Sequence, residues 1–154
     1  MNNSHHYFMS LALKEAELAR DAKEVPVGAV LVSEPHGTII ASTHNLCLSK
    51  NDPTAHAELL ALQEAATKID LLHTDCVLYV TLEPCSMCAG AILQSRIRKV
   101  VYGADDPKAG ACGSVVNVLQ NTALDFWPEL TAGIMADECR HILQAFFQDL
   151  RTTS

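Results

Sequence analysis

Two short stretches of this sequence carry side chains that bind transition metals, and together they constrain the fold more than any other feature. The first is His56–Glu58, and the second is Pro84–Cys88, which ends a continuous apolar run. If a helix opens at Cys85, then Cys85 and Cys88 share one face of it, with Cβ atoms about 5–6 Å apart. That spacing lets two thiolates bind one zinc ion at about 2.3 Å each. A thiolate pair needs further ligands, and His56 offers a neutral imidazole.

The number of protein ligands distinguishes a structural zinc site from a catalytic one. A structural site is almost always closed by four side chains, whereas a catalytic site leaves one position for water. Glu58 stands two residues after His56, so it can accept and return a proton of such a water. The pattern therefore predicts a catalytic metal site. Taken alone, the cysteine pair would also suit a redox site or half of a zinc knuckle, and Cys112 is a candidate fourth ligand that would close the site.

Composition predicts a compact soluble protein. With 154 residues, 49% of them apolar and 19% charged, the chain is expected to fold as one domain over residues 1–154. No apolar run is long enough to span a membrane and the first residues do not resemble a signal peptide, so we expect a cytoplasmic protein without membrane contact. Thiols stay reduced there. The remaining cysteines are then expected to pack in the core: Cys47, Cys76, Cys112 and Cys139.

The charge distribution limits the partners. A net charge of −7 argues against indiscriminate nucleic-acid binding, which depends on neutralising phosphates. Residues 94–108 nevertheless hold four cations and two acids, whereas residues 122–154 hold two cations and five acids. An anionic substrate could approach the first segment, although a solvated helix end followed by a strand accounts for its charges equally well.

Hydrophobic periodicity indicates an α/β sandwich with a mixed sheet. The expected helices are residues 4–23, capped by Ser4, a helix that starts at Asp52-Pro53, a helix that opens at Cys85, and residues 135–150. The expected strands are residues 27–32, 38–43, 77–81, 99–103 and an edge strand at 129–133, while residues 115–119 have no assignment. Both ligand sets would then lie at helix N-termini, which help to keep cysteine deprotonated.

The chain closely resembles the bacterial tRNA-specific adenosine deaminases over most of its length. The arrangement H-x-E…P-C-x-x-C is the known signature of zinc-dependent nucleobase deaminases, and the blocks around it narrow the resemblance. These blocks are Glu24–Val30, Asp52–Glu58, Leu78–Ala91, Gly103–Asp106, Gly110–Ser114 and Ala136–Cys139. The resemblance implies a three-layer α/β/α cytidine-deaminase-like sandwich with a mixed five-stranded sheet.

The same resemblance implies a reaction and its cofactor. Adenosine at the wobble position of a tRNA anticodon would be converted to inosine by zinc-activated water, with Glu58 as the proton shuttle. His56, Cys85 and Cys88 would hold one zinc ion per subunit. The substrate would be a tRNA anticodon stem-loop, and the enzyme a homodimer whose RNA site draws on both subunits.

Further residues match substrate contacts of that family. They are Val27, Asn45, Ala55, Glu83, Pro84, Asp106 and Lys108. Phe146 and Phe147 match an aromatic pair near the bound loop, but a core position would suit them as well. From the residues alone, Asn45 could simply cap a turn and Asp106 could be an ordinary loop acid.

Two departures from the family pattern concern RNA affinity and tRNA choice. Asp125–Pro128 replaces a stretch expected to be more polar or basic, and the sequence stops at Ser154 without the basic extension that some members carry. Two other functions therefore compete with the leading one. The first is deamination of a free base or nucleoside, of guanine or cytosine type. The second is a zinc-stabilised RNA-binding module without catalysis, which predicts a fourth ligand from Cys112.

Overall fold

The computed structural model describes residues 2–153, so Met1 and Ser154, the ends of the expected domain, lie outside the described residues. The elements in chain order are helix α1 (Asn2–Asp21), strands β1 (Gly28–Ser33) and β2 (Thr38–His44), helix α2 (Ala57–Ala66), a 3-10 turn (Leu71–His73), strand β3 (Cys76–Leu82), helix α3 (Ser86–Gln94), strands β4 (Lys99–Ala104) and β5 (Glu129–Thr131), and helix α4 (Ala136–Thr153). None of the helices in this part of the chain has the length and apolar content that a membrane crossing requires.

The five strands form one mixed sheet in the order β2-β1-β3-β4-β5. β1 runs antiparallel to β2 and to β3, whereas β3, β4 and β5 are parallel to one another. This confirms the mixed five-stranded sheet. Leu82 pairs with Ala104, so β3 and β4 deliver their carboxyl ends to the same edge, which is where ligands commonly bind in open α/β sheets.

Side chains of the central strands alternate between two apolar cores. Along β1, Ala29 and Leu31 face one core while Val30 and Val32 face the other. This follows from the two-residue period of a strand. Because helices cover both faces of the sheet, β1 contains a continuous apolar run and does not alternate between apolar and polar residues.

The helices supply the two outer layers. Ala61 of α2 and Ile92 of α3 belong to the first core, whereas Met9 of α1 and Cys139 of α4 belong to the second. The three-layer α/β/α arrangement is thereby confirmed. The helix that bears His56 and the helix that bears the cysteine pair lie on the same side of the sheet, as a shared metal site requires.

Several expected element boundaries are wrong. α2 begins at Ala57 instead of Asp52, because the carboxylate of Asp52 binds the backbone N–H of Thr54 at 2.9 Å and its hydroxyl at 2.7 Å and so forms a turn. Ser4 does not cap α1, since this helix already includes Asn2. β5 ends at Thr131, short of Gly133, whose φ of +84° does not fit a strand.

Candidate active site

Three side chains that can bind metal converge at the carboxyl edge of β3. The ligand atoms of His56, Cys85 and Cys88 all lie within 4.8 Å of one another. His56 Nδ1 lies 3.6 Å from Cys85 Sγ and 3.5 Å from Cys88 Sγ. A nitrogen and a sulfur bound to one tetrahedral zinc ion are about 3.5–3.6 Å apart. The donor set and its spacing therefore fit zinc.

Two helix N-termini position these ligands. His56 is the N-cap of α2 and Cys85 is the N-cap of α3, both with extended backbones. Neither uses its side chain to cap its own helix, so the imidazole and the thiol remain available to a metal. Cys88 follows in the first turn of α3. The exposed N–H groups of such a helix start favour thiolate over thiol.

Cys112 does not complete this cluster. In the part of the chain that the structure describes, no fourth histidine, cysteine or acidic residue joins the three. Cys112 instead belongs to the first apolar core and forms a β-bridge with Asn117. Three protein ligands and a free position are typical of catalytic zinc sites.

The two cysteines affect each other's protonation. Hydrogen bonds from Cys88 and His56 lower the pKa of Cys85 to about 3. The interaction with Cys85, together with burial, raises the pKa of Cys88. A second negative charge beside the first is unfavourable unless a cation neutralises both, and a coordinating thiol is deprotonated outright. The pair thus has the electrostatics of a cation site.

Glu58 lies in the first turn of α2 and is only 4% exposed. Burial is the largest influence and raises the pKa of Glu58 to about 7. A bound cation would oppose that rise. A carboxyl group whose pKa lies near the working pH can both accept and donate protons, which is what general acid–base catalysis needs.

A cavity of about 260 Å³ lies beside the metal ligands. The residues that line it are Val25, Val27, Asn45, Cys47, His56, Ala57, Glu58, Leu82, Glu83, Cys85, Asp106 and Ala109. Its volume is slightly below the range of about 300–1,000 Å³ that is usual for small-molecule sites, so it can hold one planar ring system. A larger cavity of about 610 Å³ lies on the α1 side of the sheet and includes none of the three ligands.

Four of the seven expected substrate contacts line this cavity, namely Val27, Asn45, Glu83 and Asp106. Ala55, Pro84 and Lys108 are not among its lining residues. The carbonyl of Ala55 accepts a hydrogen bond from the N–H of Leu46 at 3.0 Å, and that of Pro84 from the N–H of Ala111 at 2.9 Å. These two backbones therefore support the loops on either side of the cavity.

Asn45 and Asp106 combine the two roles that the sequence left open. Oδ1 of Asn45 accepts the N–H of Cys47 at 3.3 Å, and Oδ1 of Asp106 accepts the N–H groups of Lys108 and Ala109 at 3.0 and 3.2 Å. Each side chain caps a turn and lines the cavity as well. The two phenylalanines differ, since Phe146 is buried and Phe147 is 42% exposed.

Sequence reasoning missed several lining residues and the roles of two buried carboxylates. Val25, Cys47, Leu82 and Ala109 line the cavity without having been expected there. Glu24 and Glu83 are 0% and 2% exposed. Burial raises their pKa values, but hydrogen bonds, chiefly from serine, outweigh it and hold both below the ordinary value.

Comparisons with known proteins agree with this geometry. The family described as "Cytidine and deoxycytidylate deaminase zinc-binding region" matches residues 2–104. The chain is 46% identical to a tRNA-specific adenosine deaminase of Bacillus subtilis (strain 168) over 145 residues, which is 94% of this chain and 89% of the relative.

Two solved structures are similar as well. One comes from a study of A-to-I editing by tRNA:A34 deaminases at the wobble position of transfer RNA. It is 44% identical, with a TM-score of 0.81 over 89% of this chain and 99% of that one. The other is a guanine deaminase from Bacillus subtilis, 39% identical, with a TM-score of 0.60 over 66% of this chain and 64% of that one. The resemblance found in the sequence is confirmed, and the chain belongs to the cytidine and deoxycytidylate deaminase family.

Proposed function

We propose that this protein hydrolyses adenosine to inosine at the wobble position of a tRNA anticodon. The observation that carries the proposal is the three-ligand cluster of His56, Cys85 and Cys88, next to the buried Glu58 and a cavity of about 260 Å³. The similarity to proteins named tRNA-specific adenosine deaminase supports tRNA as the substrate.

His56, Cys85 and Cys88 are proposed to hold one zinc ion per chain. When bound, zinc would supply a water molecule of lowered pKa and a positive charge that stabilises the attacking oxygen. Glu58 accepts a proton from that water and donates one to N1 of the adenine ring. Glu58 then takes the second proton of the water, which is now a hydroxyl group on the ring carbon, and delivers it to the exocyclic amine, which leaves as ammonia. One water is consumed and one ammonia released for each inosine formed.

The substrate base has to leave its stack to reach this cavity, because its reacting carbon is inaccessible within stacked nucleotides. Val27, Asn45 and Asp106 are proposed to contact the flipped nucleotide, and the backbones of Ala55, Glu83 and Pro84 are proposed to line the pocket behind them. Lys108 would meet a neighbouring phosphate. The working enzyme is proposed to be a cytoplasmic homodimer.

Deamination of a free base is the second candidate. It is favoured by the similarity to a guanine deaminase and by a cavity whose volume of about 260 Å³ suits a base without its chain of nucleotides. The active-site chemistry would be the same, because a hydrolytic deamination at a ring carbon needs the same water and the same proton shuttle.

One assay separates the two candidates. Zinc-loaded protein is incubated with an anticodon stem-loop that carries adenosine at the wobble position, and in parallel with free adenosine, guanine and cytosine. We expect inosine in the stem-loop digest and no turnover of the free compounds. A stem-loop with guanosine at the wobble position serves as the matched control. Ammonia release from the free compounds alone would reject the tRNA function, and RNA binding without any turnover would support the non-catalytic module.

A further inference from the structure

One wall of the cavity belongs to the loop that follows β2. Asn45 and Cys47 line the cavity from this loop. The carboxylate of Glu24, which is 0% exposed, accepts hydrogen bonds from the N–H of Leu48 at 2.9 Å and from the N–H and hydroxyl of Ser49 at 2.7 and 2.6 Å. Glu24 thus binds three donors of one loop.

The opposite wall belongs to the loop that follows β4, and it is held in the same way. One oxygen of the Glu83 carboxylate accepts the N–H of Asp106 at 3.0 Å and the hydroxyl of Ser114. The other oxygen accepts the N–H groups of Cys112 and Ser114 at 2.9 and 3.1 Å. A Cβ atom at Gly110 would overlap this carboxylate, so a larger residue there would displace the carboxylate from its donors.

Neither carboxylate forms an ion pair with a residue that the structure describes. Burying a charge without a counter-charge is unfavourable unless hydrogen bonds compensate for the lost hydration. In both cases every donor comes from a loop of the cavity wall. Charge-assisted hydrogen bonds are about twice as strong as neutral ones, so each glutamate fixes an irregular loop that has no sheet or helix to order it.

We propose that Glu24 and Glu83 are positioning residues that hold the two opposite walls of the cavity in the shape that the substrate nucleotide requires. The identity of that nucleotide rests on the proposed function. The hydrogen bonds of Glu24 and of Glu83 to their loops, which we call the two clamps, do not depend on it. Glu58 and the metal ligands belong to α2, α3 and their N-caps. Loosening a wall should therefore weaken substrate binding more than it slows the chemical step.

The substitution Glu83→Gln tests this without changing the size of the side chain. Both oxygens of Glu83 face N–H or O–H donors, so the amide nitrogen of glutamine meets a donor in either orientation. Glu83→Asp keeps the charge but is one methylene too short to reach the loop. For both variants we expect KM for the stem-loop to rise about tenfold or more, with kcat changed less than about threefold and zinc content unchanged.

Hydrogen exchange provides a readout that does not depend on activity. In zinc-loaded Glu83→Gln, the amides of Asp106, Cys112 and Ser114 should exchange faster while those of Leu48 and Ser49 stay protected. Glu24→Gln should give the reverse pattern. If the wild-type protein does not act on the stem-loop, the proposed function fails, but this exchange pattern still decides whether the clamps exist.

Controls and milder variants complete the test. Glu64→Gln changes an exposed glutamate of α2 and should leave KM and exchange unaltered. Ser114→Ala and Ser49→Ala each remove one hydroxyl donor and should give smaller shifts in the same direction, even if the glutamate variants do not fold. The proposal would be overturned if hydrogen exchange did not change at the amides of the loop that the substituted glutamate contacts. It would also be overturned if a glutamate variant lost zinc and kcat while its KM stayed unchanged.

Discussion

At the scale of single residues, Glu58 and Glu64 show how burial separates a reactive carboxyl group from an inert one on the same helix. Glu58 is 4% exposed and its pKa is raised by burial to about 7. The Glu64 side chain is 41% exposed and pairs with Lys68 at 3.3 Å. Proton transfer in the proposed reaction needs a group like Glu58, because a carboxyl group whose pKa lies near neutral pH can both accept and donate protons.

We therefore expect Glu58→Gln to lower kcat on the stem-loop by about 10²–10⁴, the usual contribution of a general acid–base group. Zinc content should stay at the wild-type level, because Glu58 does not belong to the metal cluster. Inosine formation and metal analysis of the purified variant measure both effects. Glu64→Gln, on the same helix, should retain full activity. Near-normal turnover by Glu58→Gln would show that another group moves the proton.

The cysteines provide the second prediction at this scale. Cys88→Ala should abolish stoichiometric zinc binding, since it removes one of three ligands. Cys112→Ala should keep its zinc, because Cys112 packs in the core outside the cluster. Metal content per chain after dialysis decides the matter, with Cys76→Ala as a control for the loss of a buried thiol. If Cys112→Ala loses its zinc, the site has a fourth ligand and the open position does not exist.

At the scale of elements, the sheet depends on a close approach of α1 to the start of β1. A Cβ atom on Gly28 would lie 2.7 Å from the backbone nitrogen of Ala16 and 2.8 Å from the Cβ atom of Glu15. Both contacts are shorter than atoms of this kind tolerate. Because β1 is a central strand and α1 covers it, an extra methyl group must push the helix off the sheet.

Gly28→Ala should therefore lower the free energy of unfolding by about 1–3 kcal/mol, as overpacking usually does. The matched control is Gly90→Ala in α3, where no atom lies within 4 Å of the added Cβ. That variant should be neutral or more stable by up to about 1 kcal/mol, since alanine favours a helix. Urea unfolding of the two zinc-loaded variants tests the difference. Equal stability of both would mean that α1 can shift at no cost.

The sequence predicted features that depend on residues close together in the chain more accurately than features that depend on remote residues. The cysteine pair shares one helical turn, and β1 is a continuous apolar run, so local spacing sufficed for both. Asp52 was expected to begin α2, but its carboxylate binds Thr54 two residues away and forms a turn instead. An N-cap and such a turn use the same residue types, and the sequence pattern alone does not separate them.

The hydrogen bonds by which the carboxylates of Glu24 and Glu83 hold their loops were not predicted, because the partners are remote in sequence. Glu24 binds Ser49, 25 residues away, and Glu83 binds Ser114, 31 residues away. One local signal did exist. Each glutamate stands within two residues of a proline, and Glu83 directly follows the buried strand β3, where a charged side chain is unusual unless donors surround it. The resemblance supplied Asn45 and Asp106 as expected contacts, which spacing alone would not have identified.

At the scale of the whole molecule, the net charge of −7 opposes RNA binding. The cluster of cations in residues 94–108 does not form a free basic patch, because three of its four cations pair with acids. These pairs are Arg96–Asp125 at 3.6 Å, Arg98–Asp75 at 2.7 Å and Lys99–Glu34 at 3.2 Å. Lys108 forms no ion pair with any described residue. It lies in the turn that Asp106 caps beside the cavity.

Lys108 should therefore account for part of the salt dependence of RNA binding. For a single-stranded loop, each neutralised phosphate contributes about −0.7 to the slope of log K against log salt concentration, so Lys108→Ala should reduce that slope by about 0.7. Arg98→Ala is the control. Arg98 precedes β4 at the edge of the sheet opposite the cavity, about 20 Å away along the strand, and Asp75 already balances its charge. Anisotropy titrations of the stem-loop at several salt concentrations, performed in the inactive Glu58→Gln background, measure both slopes. A similar change in the two variants would place the RNA on the general surface of the molecule instead of at the cavity.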